Sequence, residues 1–208
     1  MSPGIFMGKN WGVGLVLASL PTVLMGQIAQ AVSLQLIPSS TNITVGQNVT
    51  VAVVISDLGN KVPPSLSFYD LDINFNPSIL SFNNAIFGNQ LNLNNLGTSP
   101  ITIPGNGVVS IWEASGDSDT DLDTLQLGSF TLATLSFKGI GVGNSALNIS
   151  ITEILDSQLA PLTINSVTDS SVRVNSAVTK IPEPSLNLGF LGLMFLSRIV
   201  FKKAQLFK

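Results

Sequence analysis

The stretch SFYDLDINF, residues 67–75, alternates apolar and polar side chains with a period of two. One parity carries Tyr69, Leu71, Ile73 and Phe75, and the other carries Asp70, Asp72 and Asn74. Successive side chains of a β-strand point to opposite faces of its sheet. The stretch therefore predicts a strand with one buried face and one solvent-facing side.

The same alternation recurs along most of the chain between residues 32 and 178. Its apolar parities include Val49, Val51, Val53 and Ile55; Val109 and Ile111; Leu147, Ile149 and Ile151; and Val172 and Val174. The phase slips once, between Leu132 and Leu135, which predicts either a β-bulge near Ala133 or burial on both faces. The pattern predicts a core that contains Val51, Val53, Leu71, Ile73, Leu135, Phe137 and Ile149.

Turn residues separate these runs at short intervals, as in Gly46-Gln47-Asn48 and Gly105-Asn106-Gly107. Short alternating strands at such spacing predict an all-β fold, an antiparallel β-sandwich of one domain over residues 32–178. One short helix is expected at residues 120–127. We expect Ser118 or Thr120 to cap it, and Leu122 and Leu125 to face inward.

Composition excludes several classes of function. The chain has no cysteine and no histidine, so thiolate chemistry, histidine-based triads and the usual zinc ligands are absent. Between residues 32 and 181, eleven acidic residues against four basic ones give a net charge of −7. Such a segment repels phosphates, and no nucleic-acid partner is expected.

The N-terminus has the order of parts found in a secretory signal peptide. Lys9 precedes an apolar stretch, and Ala29-Gln30-Ala31 places small residues around one polar residue. This pattern predicts a signal peptide over residues 1–31, cleaved so that the mature chain starts at Val32. The alternative is an N-terminal membrane anchor.

The C-terminus combines a Pro-Glu-Pro triplet, an apolar run and a basic end. The uncharged residues 186–197 would span about 18 Å as a helix, less than the hydrocarbon core of about 30 Å. Arg198, Lys202 and Lys203 follow, and positive charge favours the cytoplasmic side. The segment 179–208 is thus predicted to be a short transmembrane helix that halts in the inner membrane.

Pro182, Glu183 and Pro184, with the run and basic cluster behind them, resemble the PEP-CTERM sorting signal of exported bacterial proteins. The resemblance implies export through the inner membrane, recognition by an exosortase and removal of the tail at the cell envelope. It is associated with bacteria that make exopolysaccharide or biofilm. A plain C-terminal anchor is the alternative.

The central segment resembles the cohesin family over nearly its whole length. The likeness is carried by VGQNVTVAVVISD (45–57), FYDLDINFNPSILSF (68–82) and DLDTLQLGSFTLATLSFKGIGVGNSALNIS (121–150). It implies a jelly roll of about nine strands related to carbohydrate-binding modules. Cohesins of cellulosomes hold dockerins through one sheet face, but fold does not fix function.

Four carboxylates alternate in GDSDTDLD, residues 116–123: Asp117, Asp119, Asp121 and Asp123. Carboxylate oxygens suit Ca²⁺, which makes this stretch the candidate metal site. The EF-hand pattern fails, because Leu122 and Gly128 stand where that loop needs glycine and glutamate. The alternative is a solvated acidic loop that leads into a capped turn.

Two further features bear on ligands. Trp112 is the single tryptophan of the predicted mature chain and a candidate sugar contact, with core packing as the alternative. Asp70 and Asp72 are paired carboxylates, as a glycoside hydrolase needs, but a solvent-facing strand supplies no pocket to raise a pKa. No catalytic residue is therefore predicted.

The sequence thus favours an exported, non-catalytic surface or matrix module that contacts polysaccharide or protein. A purely structural biofilm or envelope component and a polysaccharide hydrolase are the alternatives. An exposed aromatic strip would favour polysaccharide, and a broad apolar sheet face would favour a protein partner.

Overall fold

The structure, a computed structural model, describes Met1 and residues 31–177. Its strands are β1 (Ala31–Pro38), β2 (Asn42–Thr44), β3 (Asn48–Ser56), β4 (Leu66–Asn74), β5 (Leu80–Phe87), β6 (Ile101–Pro104), β7 (Val108–Ala114), β8 (Phe130–Gly139), β9 (Gly143–Asp156), β10 (Thr163–Thr168) and β11 (Ser170–Asn175), and its helix is α1 (Asp119–Leu125). The predicted signal and membrane helices lie outside these residues.

Two sheets face each other across the core. The five-stranded sheet has the order β10-β1-β3-β8-β5, and the six-stranded sheet has the order β2-β11-β9-β4-β7-β6. The predicted all-β sandwich is confirmed. Within the described residues, no helix is long and apolar enough to cross a membrane.

The strand count and direction correct the prediction of about nine antiparallel strands. Eleven strands form in residues 31–177, and β1–β10 and β2–β11 pair in parallel. The reason is that the first and last segments of the domain each divide between the two sheets. β1 and β10 belong to the five-stranded sheet, and the strands that follow them, β2 and β11, belong to the six-stranded sheet. The two segments therefore change sheets next to each other and run in the same direction.

The apolar parities of the sequence form the core. Val49, Val51, Val53, Leu71, Ile73, Leu135 and Phe137 are buried, whereas Ile149 is only partly buried against the same cluster. In β8, Val53 pairs with Ala133 while Val54 pairs with Thr131, so Leu132 is the extra residue of a bulge. The bulge predicted near Ala133 is confirmed, and it lets Leu132 and Ala133 both face inward.

Helix α1 begins and ends close to the prediction. Ser118 is its N-cap, because its hydroxyl accepts a hydrogen bond from the Asp121 backbone N–H at 3.2 Å. Leu122 is buried, but Leu125 is exposed, contrary to the prediction that both face inward. The helix ends after two turns, at Leu125, so only its central apolar residue reaches the sandwich.

The sandwich has two distinct ends. At the α1 end, the Gln126 side chain bonds to the first residue of β4, donating to the Leu66 carbonyl and accepting from the Leu66 N–H. At the opposite end, which we call the hairpin end, the β8–β9 turn adjoins β11, since Gly143 pairs with Val174. The strands run between these two ends, so the position of a residue along its strand determines which end of the sandwich it lies near.

Candidate functional site

The candidate site is the outer surface of β9, β4, β7 and β6. Direct pairing places Asp70 opposite both Trp112 and Glu153, and Ile101 opposite Trp112. Directly paired residues lie on one face of a sheet. We call this surface the aromatic–acidic face, and its residues are Phe68, Asp70, Asp72, Ile101, Ile103, Ser110, Trp112 and Glu153.

The aromatic half of this face lies over β4, β7 and β6. The rings of Phe68 and Trp112 pack at a centroid distance of 6.2 Å and an angle of 45°. Both side chains are half-buried, and Ile101, which pairs directly with Trp112, is 38% exposed. Trp112 is therefore not in the core, and the core-packing alternative is wrong. Its parity in β7 opposes the buried Val109 and Ile111, which is why it faces outward.

The acidic half lies over β4 and β9. Asp70 stands directly across from Glu153, and Asp72 follows two residues later and accepts a hydrogen bond from the Ser110 hydroxyl. Burial raises the pKa of Asp70, and the negative charges of Asp72 and Glu153 raise it further. Like charges directly opposite each other destabilise a sheet. This cluster therefore costs stability in the isolated domain.

No base within residues 31–177 lies near these carboxylates on the same sheet. Arg173 of β11 pairs with Asn144, nine residues before Glu153 on β9. At about 3.3 Å per residue, that separation is about 30 Å along the strand. Lys138 belongs to the other sheet, and Lys61 lies in the loop before β4. The acidic half is thus a local excess of negative charge.

A buried carboxyl group was missed by the sequence reading. Glu113 is 2% exposed, and the Tyr69 hydroxyl donates to its Oε2 at 3.1 Å in the core. Burial raises the pKa of Glu113, while hydrogen bonds from Thr98 and Tyr69 act in the opposite direction. Parity was the available signal, because Glu113 shares the inward parity of Val109 and Ile111.

The acidic stretch 116–123 is built into the fold through separate hydrogen bonds. Asp117 accepts from the backbone N–H groups of Leu93 and Asn94 at 2.6 and 3.1 Å. Asp123 accepts from the hydroxyls of Ser65 and Ser157 at 2.5 and 2.9 Å. These carboxylates tie α1 to three neighbouring segments.

The other two carboxylates of the stretch act at the helix N-terminus. Asp121 accepts from the Ser118 hydroxyl at 2.7 Å, and Asp119 accepts from the Thr120 N–H at 2.7 Å. Among the residues that the structure describes, no three acidic side chains gather as a metal site requires. The geometry favours the capped acidic turn, and the Ca²⁺ prediction stays a prediction.

The predicted processing sites fall at or beyond the limits of the described residues. Ala31 is the first residue of β1, where it pairs with Thr163, whereas Ala29 lies outside. The sorting motif Pro182, Glu183 and Pro184 also lies outside. Both processing predictions therefore rest on the sequence.

The geometry of the sandwich matches solved cohesin domains. No family model matches the chain, and no curated protein matches it. The sixth cohesin of scaffoldin B from Acetivibrio cellulolyticus, solved with a Cel5 dockerin, aligns with a TM-score of 0.55 at 16% identity, over 70% of this chain and 99% of that one.

The domain has a cohesin-like fold. A type II cohesin from the cellulosome of Acetivibrio cellulolyticus aligns with a TM-score of 0.56 at 17% identity, covering 68% of this chain and 95% of the other. A non-cellulosomal cohesin from Archaeoglobus fulgidus gives 0.51 at 18% identity, over 70% and 92%. At such identities the cohesin-like domain shares a fold with these proteins, and its function has to be argued from its own residues.

Proposed function

We propose that the cohesin-like domain is a non-catalytic module that docks a protein partner on the aromatic–acidic face. The observation that carries this proposal is the pairing of Asp70 with Glu153 beside the solvent-facing Trp112. Unpaired like charges next to a half-buried aromatic pair destabilise the free domain. A partner that covers the rings and neutralises the carboxylates would bury the exposed aromatic surface and remove the repulsion between the like charges.

The chemistry of this face defines the partner. Its contact surface should carry an apolar patch for Phe68, Trp112, Ile101 and Ile103, and one or more Arg or Lys side chains for the carboxylates. Arg suits the site best, because it hydrogen-bonds carboxylates in bidentate fashion and stacks on aromatic rings. Solved cohesins with this fold are found in complexes with dockerins. We infer that a dockerin-like domain is the first partner to test.

The two ends of the chain supply the location in this proposal. The predicted signal peptide and PEP-CTERM tail would take the domain through the inner membrane, which it contacts transiently. An exosortase would then cut the tail and release the module to the cell envelope or the surrounding matrix. The docking face would be displayed outside the cell in this scheme.

Polysaccharide is the second candidate ligand, and the Phe68–Trp112 pair favours it. Sugar rings stack on exposed aromatic side chains, and these two rings lie 6.2 Å apart on an open sheet face. A neutral glycan, however, would leave Asp70 and Glu153 facing each other without a counter-charge. The protein partner therefore accounts for more of the face than the glycan does.

The test compares variants of the mature protein against proteins and exopolysaccharide isolated from the organism that makes it. Trp112→Ala and the double variant Asp70→Asn/Glu153→Gln should each weaken a protein partner at least about tenfold, as hot-spot residues do. Ile37→Ala, an exposed position on the five-stranded sheet, is the matched control. A glycan ligand would respond to Trp112→Ala and not to the charge variant. Binding that neither variant changes would refute this site.

A further inference from the structure

The turn between β8 and β9 holds two apolar side chains in solvent. Ile140 is 47% exposed and Val142 is 62% exposed. The turn is bonded to the segment before β5, because the N–H groups of Ile140 and Gly141 donate to the Ile79 carbonyl at 2.8 and 3.2 Å. A Cβ on Gly141 would lie 2.2 Å from the Ser78 carbonyl oxygen, so the backbone packs closely there. The exposed pair is therefore a fixed feature of the fold, which we call the hairpin tip (residues 140–142).

The chain leaves the domain beside this tip. Val174 pairs with Gly143, the first residue of β9, and Asn175 ends β11. Residues 178–208 follow, and they include the uncharged run 186–197. An extended stretch from residue 178 to 185 reaches at most about 28 Å. A membrane that held the run would thus lie within reach of the hairpin tip.

Basic and acidic residues are separated along the long axis of the domain. Lys138 and Arg173 flank the hairpin end, one on each sheet, immediately before Gly139 and Val174. Gly139 and Val174 pack closely against each other, since a Cβ on Gly139 would lie 3.0 Å from Val174 Cγ1. The α1 end carries the acids Asp57, Asp117, Asp119, Asp121, Asp123 and Asp156, with Lys61 as its base. The nearest acid to Arg173 on its own segment is Asp169, four residues away, or about 13 Å.

We propose that the hairpin end rests on the anionic surface of a lipid membrane. Ile140 and Val142 would enter the headgroup boundary, while Lys138 and Arg173 would pair with lipid phosphates. The acids of the α1 end are repelled by the same surface, so the charge separation orients the domain. The aromatic–acidic face stays free on the side of the sandwich, and this inference does not depend on the proposed docking function.

The experiment uses the full chain reconstituted into phosphatidylcholine vesicles with and without phosphatidylglycerol. Because the chain has no cysteine, Val142→Cys and Leu159→Cys each introduce a single labelling site for an environment-sensitive fluorophore. Leu159 is exposed and follows β9 at the opposite end, which makes it the matched control position. A headgroup-bound quencher lipid should remove about half of the emission at residue 142 and leave residue 159 unchanged, because interfacial apolar side chains enter the headgroup boundary by about 5–10 Å.

Charge variants separate lipid contact from simple proximity. Lys138→Gln/Arg173→Gln should abolish the quenching at residue 142, whereas Lys61→Gln at the α1 end should not change it. Omission of phosphatidylglycerol should have the same effect as the double variant. Equal quenching at residues 142 and 159, or quenching at 142 that is unchanged without anionic lipid, would overturn the proposal. The aromatic–acidic face is untouched by these variants.

Discussion

At the scale of single residues, parity decides whether a side chain stabilises the core or serves the surface. Trp112 and Glu113 are neighbours in β7, yet the aromatic ring lies on the outer face and the carboxyl group lies in the interior. The usual preference is reversed at both positions. This inversion places Trp112 on the proposed docking face and leaves a carboxyl group in the core.

Ile73→Ala should lower the free energy of unfolding by about 2–5 kcal/mol, because it removes buried methyl groups and leaves a cavity. Ile73 is fully buried in β4 between the two sheets. Chemical denaturation monitored by circular dichroism measures the change. Ile37→Ala on the exposed side of β1 is the control and should stay within about 0.5 kcal/mol. Equal losses for the two variants would contradict the assigned core.

Glu113 should make the domain less stable as pH rises. Its pKa in the folded protein is raised by burial, so its contribution to stability is complete below the pKa of the unfolded chain and is lost as pH climbs through the folded value. Glu113→Gln should flatten this part of the curve of unfolding free energy against pH. Tyr69→Phe, which removes one hydrogen-bond donor to the carboxylate, should retain the dependence and move it to higher pH. A curve for Glu113→Gln that still falls like that of the unmodified protein would refute this assignment.

At the scale of elements, α1 and its flanking residues are attached to the sandwich by hydrogen bonds. The helix has one buried residue, Leu122, and polar side chains within and beside it bond to neighbouring segments. Gln126 bonds to both backbone groups of Leu66 and donates to the Gln90 carbonyl. A two-turn helix is marginal alone, so these contacts determine where it sits.

Gln126→Ala should destabilise the domain more than Ser118→Ala. Loss of the N-cap at Ser118 typically costs about 1 kcal/mol. Loss of Gln126 leaves the buried N–H and C=O of Leu66 without their side-chain partners, at about 1–3 kcal/mol for each unsatisfied group. Thermal unfolding of both variants supplies the comparison. A larger loss of stability in Ser118→Ala than in Gln126→Ala would show that the attachment of α1 depends on the helix cap.

Ca²⁺ should leave the melting temperature unchanged relative to a chelator. Asp117 and Asp123 are engaged with separate backbone and hydroxyl donors, and Asp119 and Asp121 accept hydrogen bonds in the first turn of α1. Differential scanning calorimetry with Ca²⁺ or chelator tests this directly. A higher melting temperature in Ca²⁺ that disappears in Asp119→Asn/Asp121→Asn would establish the metal loop predicted from the sequence.

At the scale of the whole molecule, our proposals give separate tasks to two surfaces, the aromatic–acidic face and the hairpin end. The α1 end is acidic, the hairpin end is basic and apolar, and the aromatic–acidic face lies on the side between them. A domain anchored at the hairpin end would therefore display its docking face without hindrance from the membrane. Removal of the tail would turn the same domain into a released module.

Protein recovered from its own cells should begin at Val32 and end near Pro182-Glu183-Pro184. Proline fixes φ and lacks an N–H, so this triplet is expected to be accessible to a processing enzyme. Intact mass spectrometry gives both termini in one measurement. Retention of Phe207 and Lys208 in most molecules would identify a simple anchor, and Pro182→Ala/Pro184→Ala would then leave the membrane-bound fraction unchanged.

The sequence by itself determined the sandwich and most of its core, and it offered a bulge near Ala133 as one of two explanations of the phase slip. Period-two burial is a local property, since it depends only on which parity is apolar. It also narrowed the helix cap to Ser118 or Thr120, because a cap needs a single hydroxyl near the backbone N–H that it binds. It failed for Leu125, because the direction of a short helix follows from its tertiary contacts.

Only the tertiary structure decided how the strands associate. The parallel pairs β1–β10 and β2–β11 join residues more than 120 positions apart, a separation that no local pattern records. The same long-range pairing sets Asp70 against Glu153 and Trp112, and brings Lys138, Arg173 and the hairpin tip to one end. Each of these residues was visible in the sequence. Their juxtaposition, which creates the charge excess and the candidate surfaces, is a product of register between distant strands.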